Sequence, residues 1–476
     1  MIIVKKTTII EKKLAILEKR LDFLERENAR LRKENAILRK ENAELKEKLK
    51  LVLSLIDEKK IIKDSHNSHN PPSQDKYKFR KKSLRKPSGR KSGGQKGHKG
   101  HTLKMTETPD EVYKLKSEYC SLCGGKLNIN QQVLISKRQV IEIPPVQAIY
   151  KEYQQFGCSC TKCGNFQKSS YPQGVNAPIQ YGASVVSLIS YLNVYQYIPY
   201  LRIKQLFKDV FNISISEGSI QNLLNKEAKK ALPVYENILK EIAQSSYAGS
   251  DETSAKVNGE KWWMWVWQNV KNTYISASKS RGFETINEII GNKLSHITLG
   301  SDRWAAQLKM ITDKKQICIA HLLRDLIYLE EVEKSDWAKH FELLLYYALS
   351  LRKEAEKRNS PYLHNEKVAY KLEQQLNRLL IRNIDKQKYR KTYTFQKSMI
   401  KNRNYIFTFL YDLEVPPDNN ASERAIRNIK VKQKVSGQFK TGQNSFAIIR
   451  SVIDTIQKRE LNVLQNLQLI ANFVPE

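Results

Sequence analysis

The chain has 476 residues, 40% of them hydrophobic, which is enough to build several domains with apolar cores. Its 82 Lys and Arg residues against 49 Asp and Glu residues give a formal charge of +33, which far exceeds what solubility requires and indicates a polyanionic partner, nucleic acid first. We find no apolar run long enough to cross a membrane, no signal peptide and no lipidation motif, and six cysteines are too few for a secreted disulfide framework. We therefore expect a cytoplasmic, nucleoid-associated protein of bacterial type with no membrane partner.

The N-terminal segment, residues 1–60, carries a heptad repeat. Leucine recurs at every seventh position, at Leu17, Leu24, Leu31, Leu38 and Leu45. The companion position of each heptad holds Leu14, Leu21, Asn28, Asn35, Asn42 and Leu49. Leucine on one seam position and asparagine on the other favours a parallel two-stranded coiled coil, because a buried asparagine pairs with its symmetry mate in only one register. We expect a homodimer through this segment; the alternative is a single long surface helix.

Residues 61–105 are polar, rich in Gly, Pro and Ser, and contain no acid after Asp75. This composition predicts a flexible basic linker that neutralises DNA phosphates and makes binding steeply dependent on salt. The residues predicted to contact DNA here are Arg85, Lys86, Arg90 and Lys91. Glycines flank the last pair, which suits entry into a minor groove. The alternative is a solvated tether without contacts.

Residues 106–172 hold two cysteine pairs with zinc-ligand spacing. The predicted ligands of a structural Zn ion are Cys120, Cys123, Cys160 and Cys163. Each pair has two residues between its thiols and a glycine after the second, where the backbone must turn beneath the metal. Cys158 is an alternative to Cys160, and a redox pair is an alternative to zinc. We expect strands at Val133–Ile143 and Ala148–Phe156, and we interpret Cys318 as a small buried apolar residue.

Residues 173–245 are predicted to be helical. Two amphipathic segments, Leu201–Phe211 and Glu217–Ala228, flank a short connection, and this spacing suits a DNA-binding helix-turn-helix with Ser216 as the cap of its second helix. A purely structural helix pair fits the pattern equally well.

The next region, 246–326, alternates strands and helices. In Tyr247–Val270 an extended run ending at Asp251 is followed by an Asn-Gly turn and a tryptophan-rich strand. The further predicted elements are a strand Thr273–Ser278, a helix Arg281–Ile290, a strand His296–Asp302, a helix Ala305–Ile311 and a strand Gln316–Ala320. This is the element order of the ribonuclease-H-like fold, in which the first and fourth strands are neighbours. Asp251 and Asp302 would then face each other, within reach of shared divalent ions.

Residues 327–403 are predicted to be a helical insertion, and 404–476 to complete the core. The segment from Leu413 to Arg427 contains two prolines and then capping residues, which indicates a helix with Glu423 in its first turns. Such a glutamate can point to the acidic end of the sheet. Its alternative role is a favourable charge on the helix dipole.

Four motifs in this order resemble the DDE transposases of the insertion-sequence-sixty-six (IS66) family. They are SDET around Asp251, GSDRWAA around Asp302, CIAHLLR at Cys318–Arg324, and PPDNNASERAIRNIK around Glu423. The resemblance spans nearly the whole chain and implies a multi-domain α+β protein. Its expected parts are an N-terminal coiled coil, a zinc-ribbon-like module, a helical domain with a candidate helix-turn-helix, and a ribonuclease-H-like DDE core with a large helical insertion.

The resemblance also implies the chemistry. Asp251, Asp302 and Glu423 would be the catalytic acids and would hold two Mg (or Mn) ions. The family motif after the fifth strand matches His321 and Arg324 as DNA contacts, but Leu323 stands where many members have another arginine. The basic residues expected to hold phosphates beside the site are Arg424, Arg427, Lys430, Lys432, Lys434 and Lys440.

The function favoured by these patterns is a transposase that binds terminal inverted repeats and target DNA as double strands, cleaves 3′ ends and transfers strands. Accessory proteins encoded by the element are possible further partners, as the resemblance implies. Two alternatives remain open at this point: a non-catalytic dimeric DNA-binding regulator, and a structure-specific nuclease on the same fold.

Overall fold

The computed structural model describes residues 20, 22, 24–47, 97–100, 103–358 and 366–473. It is a mixed α+β structure, as expected from the sequence, and the chain divides into two compact units. The smaller unit contains residues 82–181 and 198–223, and the larger unit contains 1–81, 182–197 and 224–476. Within the described ranges, no helix combines the length and the apolar character needed to cross a membrane.

Helix α1 contains residues 24–47 and carries part of the heptad repeat. The leucines of its seam are exposed in the single chain: Leu24, Leu31, Leu38 and Leu45 are each more than two-fifths accessible. The rest of the predicted coiled coil lies outside the described residues. Dimerisation through this segment therefore stays a prediction.

The remaining helices follow in chain order. They are α2 (Ala183–Ser190), α3 (Tyr200–Phe211), α4 (Glu217–Ala243), α5 (Phe283–Ile289), α6 (Ala305–Leu308), α7 (Ile319–Glu333), α8 (Asp336–Arg358), α9 (Glu366–Ile381), α10 (Arg390–Lys401), α11 (Thr408–Tyr411), α12 (Asn420–Ser436), α13 (Gln443–Lys458) and α14 (Val463–Asn472). A π-helical turn follows α2 at Tyr191–Tyr195.

The smaller unit contains little regular structure before α3. Strands β1 (Gly157–Ser159) and β2 (Phe166–Lys168) form a short antiparallel hairpin. The strands predicted at Val133–Ile143 and Ala148–Phe156 are not formed, and most of their apolar side chains are exposed. Alternating apolar residues favour a strand, but a strand needs a neighbouring strand for its backbone groups. In the described residues only the end of the second segment has such a neighbour, where the Phe156 carbonyl accepts from the Ser169 N–H at 3.0 Å.

The two predicted helices of the candidate helix-turn-helix are present as α3 and α4. The left-handed backbone of Asn212, with φ of 52°, ends α3. The backbone N–H of Ser219 donates to Ser216 Oγ at 3.0 Å, so Ser216 caps α4 as predicted.

The larger unit is built on a five-stranded sheet with the order β5-β4-β3-β6-β7. Its strands are β3 (Tyr247–Val257), β4 (Glu260–Gln268), β5 (Thr273–Ser278), β6 (Thr298–Ser301) and β7 (Lys314–Ile317). The first three are antiparallel, and β6 and β7 run parallel to β3. Asn258 and Gly259 join β3 to β4 with φ of 46° and 85°, the conformation that an Asn-Gly hairpin turn requires.

The ends of β3 and β7 are the strand boundaries that differ most from the prediction. Strand β3 does not end at Asp251 but continues to Val257, because β4 pairs with it from Gly249 to Val257 while β6 pairs only as far as Ser250. Strand β7 ends at Ile317, since Cys318 is already the N-cap of α7. The motif CIAHLLR therefore begins at the N-cap residue Cys318 and is helical from Ile319 onward.

Tryptophans of β4 form the core of the sheet on one face. Trp265 and Trp267 are fully buried and stacked, with ring centroids 5.9 Å apart, whereas Trp263 is partly exposed. At the sheet edge, the N–H groups of Ile275 and Thr273 donate to Ser451 Oγ and Thr455 Oγ1 of α13 at 2.8 and 3.1 Å. The edge strand is thus covered by a helix, which protects its backbone groups from pairing with another chain.

Helices α7 to α11 share one apolar cluster beside the sheet, and it includes Leu323 at 4% exposure. Arg352 of α8 is buried and donates to the backbone carbonyls of Phe409, Asp412 and Leu413. This guanidinium ties the helical insertion to the segment that leads into α12.

Candidate active site

Asp251 and Asp302 lie side by side at the end of the parallel part of the sheet. Ser250 of β3 pairs with Ser301 of β6, so the residue that follows each serine is an acid at the same level. The predicted adjacency of these two strands is observed. Burial, the charge of Asp302 and the charge of Glu252 together raise the pKa of Asp251 well above its ordinary value. Two carboxylates in this position repel each other, and a cation between them would offset that repulsion.

The third predicted acid, Glu423, reaches the same region from the first turn of α12. The start of that helix is fixed by Asn419, whose side-chain amide donates to the Ser250 carbonyl at 2.7 Å and whose backbone N–H donates to Cys318 Sγ at 3.2 Å. A Cβ at Gly249 would lie 2.8 Å or less from the side chains of Gln268, Ser422 and Asn419. The helix can therefore approach β3 this closely only because position 249 is glycine.

His321 joins two of the acids. Its Nδ1 lies 2.9 Å from Asp302 Oδ1 and its Nε2 lies 3.7 Å from Glu423 Oε1. Burial lowers the pKa of His321, but hydrogen bonds to Asp302 and Cys318 and their charges outweigh burial, and the pKa is raised well above its usual value. At 6% exposure the ring is enclosed by the acids, so the structure does not place it on a DNA-facing surface.

Arg324 lies one turn further along α7 and is partly exposed. Its guanidinium is 3.8 Å from Glu423 Oε1, so it also belongs to the acidic cluster. Leu323 packs in the apolar cluster and has no access to the site.

Cys318 is a member of the site that the sequence did not reveal. It is 1% exposed, as expected for a buried apolar residue, but its sulfur, His321 and Asp302 offer ligand atoms that all lie within 4.8 Å of one another. In the part of the chain that the structure describes, these three side chains form the group whose atoms are close enough to share a metal ion. Asp251 and Glu423 do not belong to this group. The sequence did contain one signal for this group. Cys318 and His321 are three residues apart, a spacing that places two side chains on the same face of a helix.

Glu252, next to Asp251, is held by other partners. Arg281 Nε donates to Glu252 Oε1 at 2.9 Å, and Gln307 Nε2 donates to Oε2 at 2.9 Å. Arg281 is itself stacked on the ring of Trp304, with 3.6 Å between the guanidinium carbon and the ring centroid. Glu252 is therefore neutralised by arginine and is not free to act as a metal ligand.

The basic residues of α12 divide into exposed and buried. Arg424, Arg427 and Lys434 are exposed, as a contact with phosphates requires. Lys432 is only 6% exposed, and its ammonium donates to the Asn193 carbonyl at 3.3 Å. The expectation that Lys432 holds DNA is therefore corrected. Residues two positions apart on a helix point to different sides, so Lys432 faces inward although Lys434 is exposed. Arg85, Lys86, Arg90 and Lys91 lie outside the described residues.

The cysteine pairs of the smaller unit form two knuckles with matching backbones. In the first, Cys120 N–H donates to Gly125 O and Gly124 N–H to Cys120 O, both at 2.9 Å. In the second, Cys160 N–H donates to Asn165 O at 2.9 Å and Gly164 N–H to Cys160 O at 2.8 Å. Cys160 thus has the position in its knuckle that Cys120 has in the first, whereas Cys158 lies in β1 opposite Gln167.

Each knuckle favours a thiolate. Backbone N–H groups of Cys123 and Leu122 lower the pKa of Cys120, and those of Cys163 and Lys162 lower the pKa of Cys160. The donor set suits zinc. Among the described residues, no three of these sulfurs lie within 4.8 Å of one another, so the four cysteines do not form a closed ligand set in this structure.

Comparison with protein families gives two matches. A family described as "Transposase IS66 family" matches residues 178–445, more than half of the chain, and a "Family of unknown function (DUF6444)" matches residues 14–104. Comparison with curated proteins gives no match. The first match covers the whole sheet, the helical insertion and all three predicted acids.

Proposed function

Since the chain belongs to the IS66 transposase family, as its motifs predicted, we propose that it cleaves the 3′ ends of an insertion sequence and joins them to target DNA by a metal-dependent DDE mechanism. The observation that supports this proposal is that Asp251 and Asp302 follow paired residues of neighbouring strands, while His321 links Asp302 to Glu423. The strand order β5-β4-β3-β6-β7 is the one expected of a ribonuclease-H-like core. Surface acids would not be expected to meet in this way from three separate elements.

The three acids would hold the catalytic metal ions, Mg²⁺ or Mn²⁺. Carboxylate oxygens are the donors that these ions prefer. Burial and then the charges of Asp302 and Glu252 raise the pKa of Asp251, and a cation beside the carboxylate would offset both effects. Bound there, two such ions would activate the attacking water or 3′-hydroxyl oxygen and stabilise the leaving oxygen.

The chain's own residues position the reactants. Strand β3 and its pairing with β6 fix Asp251 and Asp302, while Asn419 fixes the helix that presents Glu423. His321 lies 2.9 Å from Asp302 and, like Arg324, within 4 Å of Glu423, so these two side chains would orient the carboxylates. Arg424, Arg427 and Lys434 would bind phosphates of the DNA beside the acids.

The other parts of the chain would bring DNA and a second copy to this site. We propose a coiled-coil dimer through residues 1–60, a basic linker over 61–105 and a zinc module over 106–172 with Cys120, Cys123, Cys160 and Cys163 as ligands. Residues 173–245 would be a helical DNA-binding domain. The core would span 246–326 and 404–476 around the insertion at 327–403. The matching knuckles support the zinc ligands, and the exposed leucines of α1 support the dimer.

The test is cleavage and strand transfer by the purified full chain on DNA that carries the element's terminal inverted repeats. We expect both reactions to require Mg²⁺ or Mn²⁺ and to fall at least about 1000-fold in Asp251→Asn and Glu423→Gln, because each lost ligand removes several kcal/mol of transition-state stabilisation. Asp313→Asn is the matched control, since Asp313 is an exposed acid beside β7. Normal cutting and joining by Asp251→Asn would show that these acids are not the site.

The same assay separates the alternatives. A structure-specific nuclease would cut branched DNA without ever joining ends, and a DNA-binding regulator would bind the repeats without cutting them.

A further inference from the structure

Cys318 and His321 bring sulfur and nitrogen donors to the side of Asp302. Cys318 caps α7 and its backbone N–H donates to the Ser301 carbonyl at 3.0 Å, which fixes the helix start against the end of β6. His321 lies three residues further on the same helix face. Two parts of the chain therefore converge: the segment after β6, which carries Asp302, and the start of α7, which carries both Cys318 and His321.

The spacing of these donors fits a small tetrahedral ion. Zinc bonds of roughly 2.0 to 2.3 Å place neighbouring ligand atoms roughly 3.3 to 3.6 Å apart. Here the three ligand atoms lie within 4.8 Å of one another, and the Asp302 and His321 atoms are 2.9 Å apart. A metal ion would replace the hydrogen bond between these two residues with only small side-chain shifts. Asp302 is 30% exposed at its side chain, which gives an ion a path to the buried donors.

The surroundings complete the pattern of a metal centre. Asn419 N–H donates to Cys318 Sγ at 3.2 Å, which fixes the position of the sulfur. With His321 Nδ1 on the metal, its Nε2 would face Glu423 Oε1, which lies 3.7 Å away. A histidine ligand held by a carboxylate on its other nitrogen is a common outer-shell arrangement at zinc.

We propose that Asp302, Cys318 and His321 form a binding site for a thiophilic divalent ion such as Zn²⁺, which shares Asp302 with the site of the three acids and adds a sulfur and a nitrogen donor of its own. Sulfur and imidazole select Zn²⁺ over Mg²⁺. Binding releases the thiol proton of Cys318 and any proton on His321 Nδ1 to solvent, and no electron is transferred. The bound ion uses Asp302 and engages Glu423 through His321, so it blocks the catalytic acids. This blocking rests on the proposed function, whereas the binding itself does not.

Metal binding is tested on the full chain. Wild-type protein, Cys318→Ser and the matched control Cys158→Ser are loaded with excess Zn²⁺, dialysed and analysed for metal. We expect wild type and Cys158→Ser to hold one more equivalent than Cys318→Ser. Co²⁺ added in place of Zn²⁺ should give a thiolate-to-metal absorption that is weaker in Cys318→Ser by the contribution of one thiolate. Equal metal content and equal spectra in all three proteins would overturn the site.

A second variant guards against misfolding, because Cys318 is buried. His321→Gln keeps the cysteine and removes one donor, so it should lose the same equivalent while its thermal unfolding shows a folded chain. Retention of that equivalent would contradict the assignment.

Whether the bound ion blocks the catalytic acids is measured separately, through DNA cleavage. Zn²⁺ should inhibit Mg²⁺-supported DNA cleavage, with each protein normalised to its own zinc-free rate. The inhibiting concentration should rise at least about 100-fold in Cys318→Ser and stay unchanged in Cys158→Ser, because even an outer-shell change costs 10- to 100-fold in metal affinity. Equal inhibition of both variants would refute blocking. A chain that cuts no DNA under any condition would refute the proposed function, while the metal counts would still decide the site.

Discussion

The two sets of candidate metal ligands are positioned by different means. The acids of the larger unit stand on a sheet with a buried tryptophan core, and they meet because β3 and β6 are hydrogen-bonded neighbours. The cysteines of the smaller unit stand in a segment, residues 103–180, in which none of the described residues is buried. Each knuckle is formed by local hydrogen bonds, but among the described residues no three of its sulfurs and those of the other knuckle lie within 4.8 Å of one another. The difference indicates that apolar burial positions the acids, whereas the two cysteine knuckles would rely on the proposed zinc ion to hold them together.

Physical magnitudes support this division. A segment without an apolar core cannot offset the conformational entropy of ordering its backbone, which is about 1 to 2 kcal/mol per residue. Binding of a structural zinc ion contributes about 10 to 16 kcal/mol to folding in small domains, enough to join two knuckles. The acids need no such contribution, because the sheet places them before any metal binds.

The largest expected effect is therefore loss of structure in the cysteine module alone. Cys160→Ser should remove zinc, about one ion per chain, and leave residues 106–172 unfolded, because three ligands do not close a structural site. Hydrogen exchange of the full chain should show full loss of protection in this segment and unchanged protection in β3 and β4.

Cys158→Ser is the matched control for this experiment, since Cys158 lies two residues away in β1. It should keep its zinc and its protection. If Cys158→Ser loses the metal and Cys160→Ser keeps it, the ligand assignment is reversed. If the module stays protected after chelation of all metal, the contrast between the two regions fails.

A smaller effect, on stability against pH, is expected from a buried carboxyl group in the larger unit. Glu227 of α4 is 1% exposed, and neither of its carboxylate oxygens has a hydrogen-bond partner among the described residues. Burial raises the pKa of Glu227 from 4.5 to about 7, although Lys230 lowers it in part. Because the folded pKa lies above the unfolded one, the protein is most stable when this group is protonated, and it loses stability as the pH rises through about 7.

Glu227→Gln should remove that loss. Each unit of pKa difference corresponds to about 1.4 kcal/mol, so the wild-type larger unit should lose about 3 kcal/mol more than the variant between pH 4 and pH 8. Urea unfolding monitored by tryptophan fluorescence at both pH values measures this difference. Glu236→Gln, an exposed acid of the same helix, is the control and should show no such change. Identical pH profiles of Glu227→Gln and wild type would show that burial of Glu227 costs the core nothing.

The sequence predicted the parts of the larger unit that depend on local pattern. The Asn258-Gly259 turn, strand β5 and the adjacency of β3 and β6 follow from turn chemistry, side-chain alternation and element order. What the sequence could not predict depends on three-dimensional packing. The length of β3 is set by its partner β4, and the role of Cys318 becomes visible only when the N-cap of α7 lies beside Asp302.

The burial of a single charged residue cannot be predicted from the sequence pattern either. Lys432 and Lys434 are both lysines of one basic helix, and nothing in their local sequence separates them. The fold does, because one face of α12 packs inward while the other is exposed. In the cysteine module the pattern was present but the structure was not. The apolar residues of Val133–Ile143 predicted a strand, but this segment has no buried face and no strand forms there.

The smallest expected effect uses these two lysines to test whether the larger unit contributes its own DNA contacts. Lys434→Ala should weaken DNA binding a few-fold and lower the slope of log affinity against log salt by about 1, because one phosphate contact releases about one counterion. Lys432→Met should leave the slope unchanged and alter only the free energy of unfolding, since its ammonium is bonded to the Asn193 carbonyl inside the protein. Fluorescence anisotropy at several salt concentrations measures both slopes on one DNA duplex. A lower slope in Lys432→Met, or an unchanged slope in Lys434→Ala, would mean that the exposed face of α12 does not hold DNA and that contacts come from elsewhere in the chain.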